Sequence, residues 1–242
     1  MYVIANGGLK EYGTNTIESI MLAKNASFTD GVLIDVRLTF DNKLVSCKYD
    51  DLSKTTLSKG LVSKMKYCDL KKVKLLNKTY KNYIPLLKEI LDKYQSNKII
   101  ILNLHDAIDK NEVLVNEVIC LIDNYPDYNF YLETSSKELL QELIVENICM
   151  INKHYRMGLR FTTNAYWCNN KTLFCDTLCN ETNDSINFYN QVLVHNVNKN
   201  QDLVNFMKYL DKDKVNDLII ISDNPKEIKR CLKNDFLFDI KL

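Results

Sequence analysis

Proton transfer and anion binding call for histidine, carboxylate and guanidinium side chains held where a ligand can reach them. The 242-residue sequence has three histidines, His105, His154 and His195. Polar side chains fall at the ends of several apolar runs of strand length: Glu133, Arg160, Asp176, His195 and Asn196. In sheets covered by helices, the carboxyl ends of strands carry the chemistry, but they are polar even when idle, so each of these residues is read first as wall. Arg160 is singled out as a charge within an otherwise apolar strand, suited to holding an anion. His154 is placed on a surface loop, and Tyr166 and Trp167 in packing, with the rim of a ligand site as the alternative. No serine or cysteine stands in a nucleophile motif beside a histidine. The eight cysteines are scattered, and Cys175 and Cys179, four apart, have no second pair to complete a metal finger. Free, mostly buried thiols and a reducing, cytoplasmic setting are expected.

The elements that position these residues follow from periodicity. Strands are expected near Tyr2–Asn6, Gly31–Thr39, Lys98–Leu104, Asn129–Thr134, Met157–Thr162, Thr172–Leu178, Gln191–Asn196 and Asp217–Ser222. Runs such as Ile99-Ile100-Ile101-Leu102 and Leu218-Ile219-Ile220-Ile221 are apolar throughout, as strands buried on both faces of a parallel sheet must be. Helical stripes lie between most of them: Ile17, Ile20 and Met21 after Asn15-Thr16, and Leu86, Leu87, Ile90 and Leu91 after Pro85, a residue favoured at helix starts. Others run over Val113–Ile122, over Leu139–Ile144, through Leu203, Phe206 and Leu210, and from Asn224-Pro225. The stretch from Thr163 to Lys171 looks too short and polar for a full helix. Eight strands alternating with helices give an α/β fold, a (β/α)8 TIM barrel, with an open doubly wound sheet as the alternative. Asp41-Asn42 signals a turn, so Leu44–Cys47 should form a small hairpin with the end of the second strand. A polar insertion of about residues 44–83 follows that strand within a single domain, residues 1–242.

Composition narrows the function. Hydrophobic residues make up 46% of the chain and charged residues 26%, enough to bury a sizeable core. Thirty-two basic against 31 acidic side chains leave a net charge of +1, which points to neither a nucleic-acid nor an anionic-membrane partner. Lysines do cluster from Lys54 to Lys81; they are read as a solvated face, with a phosphate- or lipid-binding patch as the alternative. No apolar run approaches a membrane span, and no targeting segment precedes the first strand.

Several motifs, in order, are similar to those of the glycerophosphodiester phosphodiesterase family. Gly31-Val-Leu-Ile-Asp35-Val-Arg37-Leu-Thr39 with Asp41 and Leu44-Val45 resembles its G-I-E-L-D-V-x-L-T-x-D-G-x-L-V. Asp50 to Thr56, with Gly60 and Val62, resembles its D-x-T-L-D-R-T-T-x-G-x-G-x-V, and Ile84-Pro85-Leu86 with Glu89-Ile90-Leu91 its I-P-T-L-x-E-V-L. Val194-His-Asn-Val-Asn198 and Ile221-Ser-Asp-Asn-Pro225 resemble V-W-T-V-N and I-T-D-x-P. The resemblance implies two histidines for acid–base or nucleophilic work, a divalent metal on three carboxylates, and an arginine and a lysine on the phosphate.

Position by position, little of that chemistry remains. H-R-G reads Asn6-Gly7-Gly8. E-L-D reads Leu33-Ile34-Asp35, the second histidine falls on Lys48, and N-I-E-I-K reads Asn103-Leu104-His105-Asp106-Ala107. Asn6 and Lys48 thus replace the catalytic pair, so no catalytic residue is expected. Leu33, Asp35 and His105 are vestigial metal positions, and a hard cation such as Mg²⁺ or Ca²⁺ would be weakly held there if at all. The expected ligand-binding set is Asp35, Lys48, His105 and Arg160, with Lys48 within salt-bridge reach of Asp35 in place of the metal. Asn6, Asp35, His105 and Asp223 should share one rim. The sequence thus suggests an inactive or strongly impaired phosphodiesterase-family protein of phosphoglycerol, lipid or surface-polymer metabolism. It would bind a small phosphate-bearing ligand or a protein partner. The alternative is an active phosphoric diester hydrolase with a rearranged site built on Asp35, His105 and Lys48.

Overall fold

Strand residues that are apolar on both faces need a cover on each, and the computed structural model shows how both are supplied. It describes residues 1–76, 83–148, 156–159, 172–176, 191–207 and 218–233. In chain order the principal elements are β1 (Tyr2–Asn6), α1 (Ile17–Asn25), β2 (Gly31–Leu38), β3 (Leu44–Ser46), α2 (Tyr67–Leu70), α3 (Leu87–Tyr94), β4 (Ile99–Leu104) and α4 (Asn111–Ile122). They continue with β5 (Phe130–Thr134), α5 (Lys137–Ile148), β6 (Arg156–Leu159), β7 (Thr172–Asp176), β8 (Gln191–His195), α6 (Asn200–Met207), β9 (Leu218–Ser222) and α7 (Pro225–Lys233). The sheet runs β6-β5-β4-β2-β1-β9-β8-β7, every neighbouring pair parallel, and its two end strands, β6 and β7, are in contact. This is the (β/α)8 TIM barrel expected from the alternation. β3 stands outside the ring, antiparallel to β2 through Val36↔Ser46 and Leu38↔Leu44, which is the expected hairpin.

Alternation along the strands sorts the core into two shells. Val32, Ile34 and Val36 of β2 and Ile100 and Leu102 of β4 face outward and pack with Ile20 of α1, Ile90 of α3 and Val118 of α4. The residues between them, Leu33, Ile99 and Ile101, meet Ile4, Tyr131, Leu193, Ile219 and Ile221 from other strands. That second cluster contains strand residues only, so it fills the barrel's interior, as layers of side chains do in this fold.

Where both ends lie among the described residues, as in β1, β2, β4 and β5, the observed strands match the expected ones to within one residue. β2 stops at Leu38 because Thr39 turns the chain: its backbone N–H donates to Lys43 O (3.0 Å) and its hydroxyl to Asp41 (2.7 Å). Helix α1 starts at its expected cap, with the Thr16 hydroxyl accepting from Ser19 N at 3.1 Å. Arg160, His154, Tyr166, Trp167, Cys149, Cys168, Cys179 and the stretch from Thr163 to Lys171 lie outside the described residues.

Gly31 opens β2 opposite Ile99 of β4. A Cβ there would lie 2.2 Å from the Ile99 carbonyl oxygen, a backbone atom that can move only with its strand. Gly31→Ala should therefore lower the unfolding free energy by about 3 kcal/mol, the upper end of the usual overpacking cost. Urea denaturation checks this; a loss under about 1 kcal/mol would mean that the β2–β4 spacing is not fixed by that contact.

Candidate functional site

The inward-facing residues change from apolar to polar toward the carboxyl ends of the strands. Along β2 the sequence Leu33, Asp35, Arg37 climbs this face, and the ladder sets Asp35 level with Asn103 of β4, which is level with Glu133 of β5. His105 follows Asn103 on the same side. Asn6, at the end of the neighbouring β1, and Asp223, just past β9, continue the rim on the other side of β2, joined by an Asn6 Nδ2 to Asp223 hydrogen bond of 2.9 Å, and Lys10 pairs with Asp223 at 3.0 Å. Asn6, Asp35, His105 and Asp223 therefore sit at one end of the barrel, as expected.

Asp35 is the centre of this layer. Its carboxylate is 2% exposed and accepts three hydrogen bonds: from Asn15 Nδ2 at 2.8 Å, Asn103 Nδ2 at 2.7 Å and His105 Nε2 at 2.8 Å. A carboxylate only accepts, so the Nε2 of His105 carries the proton in this contact. Burial pushes the Asp35 carboxyl up, but the hydrogen bond and charge of His105, the Asn15 amide and the charge of Lys48 together hold it below its ordinary value.

Asn15 fits between loop and strand because of its backbone. It is in the left-handed region at φ 62°, which asparagine tolerates, one residue before the α1 cap. Its N–H donates to Gly7 O (2.7 Å), and its side-chain oxygen accepts from Asp35 N (2.9 Å). Read from sequence, Asn15-Thr16 was only a helix-start signal.

Lys48 departs from expectation. It is exposed, its ammonium lies 5.7 Å from the centroid of the Tyr49 ring, and among the described residues it forms no ion pair with Asp35. The cause is the hairpin: Cys47 N donates to Asp35 O (2.9 Å), and the chain then turns outward, so Lys48 lines a crevice with Asn15, Ser46 and Thr55. His105 takes the place expected for the ammonium. The Lys48 carbonyl instead accepts from Arg37 Nε (3.2 Å) and Nη2 (3.0 Å). Arg37, half-buried at the mouth, was missed as a site residue, although its spacing two residues beyond Asp35 puts it on the same face. Burial pushes its guanidinium below the ordinary value, against the opposing pull of Asp50, Cys47, Asp35 and Asp106. Cys47 is no nucleophile, since burial pushes its thiol up to about 11.

Across the barrel, His195 Nε2 meets Glu133 Oε2 at 2.8 Å, both side chains fully or almost fully buried. These two were read as wall, and they fill the interior between β5 and β8. Among the described residues, no group of three or more histidine, cysteine, aspartate or glutamate side chains is arranged to hold a metal ion. No helix of the described residues is long and apolar enough to cross a membrane.

A parallel barrel with this polar mouth and a hairpin after its second strand defines the class, and comparison with known proteins defines the family. The profile of the glycerophosphoryl diester phosphodiesterase family matches residues 6–157, and the chain belongs to that family. Solved structures similar to it include an Oleispira antarctica phosphodiesterase in complex with the product sn-glycerol-3-phosphate, at 19% identity and a TM-score of 0.76 over 97% of each chain. A putative glycerophosphoryl diester phosphodiesterase from Silicibacter pomeroyi is 16% identical, with a TM-score of 0.74 over 96% of this chain and 92% of that one. The glycerophosphodiester phosphodiesterase of Thermotoga maritima is 18% identical, with a TM-score of 0.69 over 96% and 98%. No curated protein sequence matches the chain.

His105→Leu should destabilise the protein by about 3 kcal/mol, the low end for removing one partner of a buried pair, because Asn15 and Asn103 still donate. Lys48→Met should change stability by less than about 0.5 kcal/mol, as exposed substitutions do. Chemical denaturation of the two variants checks both, and equal losses would restore Lys48 as the partner. Because the folded Asp35 carboxyl is lowered, its stabilisation is present above its unfolded value of about 3.9 and is lost as pH falls through the folded value. Stability should therefore fall below about pH 4 less steeply in Asp35→Asn than in wild type, and parallel acid slopes would contradict this.

Proposed function

We propose that this chain is a glycerophosphodiester phosphodiesterase-family barrel that does not hydrolyse diesters but binds a small phosphate-bearing ligand at its mouth. The observation that carries the reading is the state of Asp35, whose two oxygens are taken by Asn15, Asn103 and His105. A divalent cation at this place requires carboxylate oxygens free to face it. Leu33, at the position of a second carboxylate, belongs instead to the apolar interior, and His105 stands where the third would be. These residues do not fit a divalent metal. The two positions of the acid–base pair are Asn6, whose amide is spent on Asp223, and Lys48, which is exposed. Acid–base catalysis typically contributes about 10²–10⁴-fold, and neither residue is a histidine placed to supply it.

What is left at the mouth suits anion binding. Arg37, Lys48 and the partly exposed edge of His105 surround the Asp35 level, and guanidinium and ammonium groups both recognise phosphate oxygens. Asp50 and Asp106 lie near Arg37 and restrict the ligand to one that keeps its phosphate away from them. The proposed binding set is thus Arg37, Lys48 and His105, with Asp35 positioning His105 and Arg160 as the further candidate. A cytoplasmic role in phosphoglycerol or lipid metabolism accompanies this reading.

The Asp35–His105 hydrogen bond favours a second reading, a hydrolase with a rearranged site, since a carboxylate behind an imidazole is how a general base is oriented. One assay separates the two. Release of sn-glycerol 3-phosphate from glycerophosphocholine or glycerophosphoethanolamine should stay at background with Mg²⁺, Ca²⁺, Mn²⁺ or Zn²⁺. The melting temperature should be unmoved by these ions and raised by sn-glycerol 3-phosphate, because anything that binds the native state stabilises it. Metal-dependent turnover that vanishes in Asp35→Ala or His105→Ala would establish the second reading instead.

A further inference from the structure

The excursion between β3 and α3 is folded around a small core of its own, made of Val45, Cys47, Leu52, Val62, Leu70 and Ile84. Its segments are tied by isolated antiparallel bridges between Asp51 and Leu61 and between Thr56 and Leu75, and Leu76 N donates to Thr55 O at 2.9 Å. With that core filled, three leucines remain outside it: Leu57 is 91% exposed, Leu76 54% and Leu61 41%. The Thr56–Leu75 bridge is antiparallel, so it pairs Leu57 with Lys74 and Leu76 with Thr55 and puts the two leucines diagonally on one face of a single tip. Around it the charge is one-sided: residues 54–76 hold seven lysines and a single acidic residue, Asp69. All seven are exposed; Lys71 and Lys72 pair with Glu89 and Asp69, while Lys54, Lys59 and Lys74 form no ion pair among the described residues. The whole chain's net charge of +1 hides this segregation, because an acidic remainder balances it.

We propose that this tip docks the protein on an anionic lipid bilayer, Leu57 and Leu76 entering the interface while the lysines meet the headgroups. The composition selects this occupant. Exposed leucines ringed by lysines are the pattern of interfacial insertion, where long lysine stems lie along apolar surface and their ammonium groups reach the headgroup phosphates. A nucleic-acid surface would call for arginine forks and stacking aromatics, and the stretch from Asp51 to Leu76 contains no arginine and one tyrosine. The surface lies beside the barrel mouth, as Lys48 and Thr55 line the same crevice, so a docked protein would hold its mouth near the headgroups. The inference does not depend on whether the mouth hydrolyses its ligand.

The test is sedimentation of the 242-residue chain with phosphatidylcholine vesicles, with and without phosphatidylserine, and with a single-stranded RNA as control. The protein should bind only vesicles containing phosphatidylserine, and less as salt rises. Each lysine near an anionic surface contributes about fivefold in partitioning, so Lys54→Glu/Lys59→Glu/Lys74→Glu should lose at least about a hundredfold. Leu57→Ser/Leu76→Ser should lose at least about tenfold while keeping every charge. Both variants alter exposed side chains, and melting curves matching wild type confirm that they fold. Failure of the wild type to prefer anionic vesicles overturns the proposal. So does unchanged binding by the leucine variant, which would leave a solvated basic face, or equally tight binding of RNA by that variant, which would assign the patch to nucleic acid.

Discussion

A carboxylate buried at the mouth of a barrel has to be compensated, and much of the arrangement around Asp35 follows from that requirement. An isolated ionised carboxyl in an apolar interior costs several kcal/mol even after relaxation. Here three donors arrive from three places: Asn15 from the loop after β1, Asn103 from the neighbouring strand and His105 just beyond that strand's end. Because Asn15 also bonds the Asp35 backbone and the Gly7 carbonyl, the same network latches the β1–α1 loop onto β2. Compensation of one charge thereby fixes the shape of one side of the mouth.

The rest of the interior is consistent with that solution. Below Asp35 the barrel is closed by Leu33, Ile4, Ile101, Tyr131 and Ile221, a mainly apolar layer. Farther round the ring, Glu133 and His195 hydrogen-bond one another through the interior. The cationic groups that reach water, Arg37 and Lys48, are on or next to the hairpin rather than on the barrel floor. A ligand with a phosphate would be met at the rim, and the excursion's exposed leucines and lysines stand beside that rim.

Much of this was legible from residue order. Strands buried on both faces announce themselves as unbroken apolar runs, so Ile99–Leu104 and Leu218–Ser222 were read nearly to the residue. The turn at Asp41-Asn42 fixed the hairpin, and with it the level of the mouth. What could not be read was direction. Lys48 aligns with a site position, but whether its ammonium points at Asp35 depends on how the chain leaves β3, and the Cys47-to-Asp35 backbone bond sends it outward. His105 aligns with a carboxylate position; that it donates to Asp35 from just past the end of β4 is a matter of geometry, not of spacing. Arg37 was within reach of sequence reasoning through its period of two from Asp35. The lysine cluster was visible, whereas the leucines among them look like core residues until the excursion's own core is seen to be full.

The central claim is that internal donors occupy the place of a cation at Asp35. Electron paramagnetic resonance of Mn²⁺ titrated with the protein tests it directly, since a bound ion loses the sharp six-line signal of the free one. The account predicts an undiminished free-ion signal with excess wild-type protein, and the same in Asp35→Asn. Loss of the signal with wild type and its return in Asp35→Asn would show that Asp35 holds a metal, and would contradict the account.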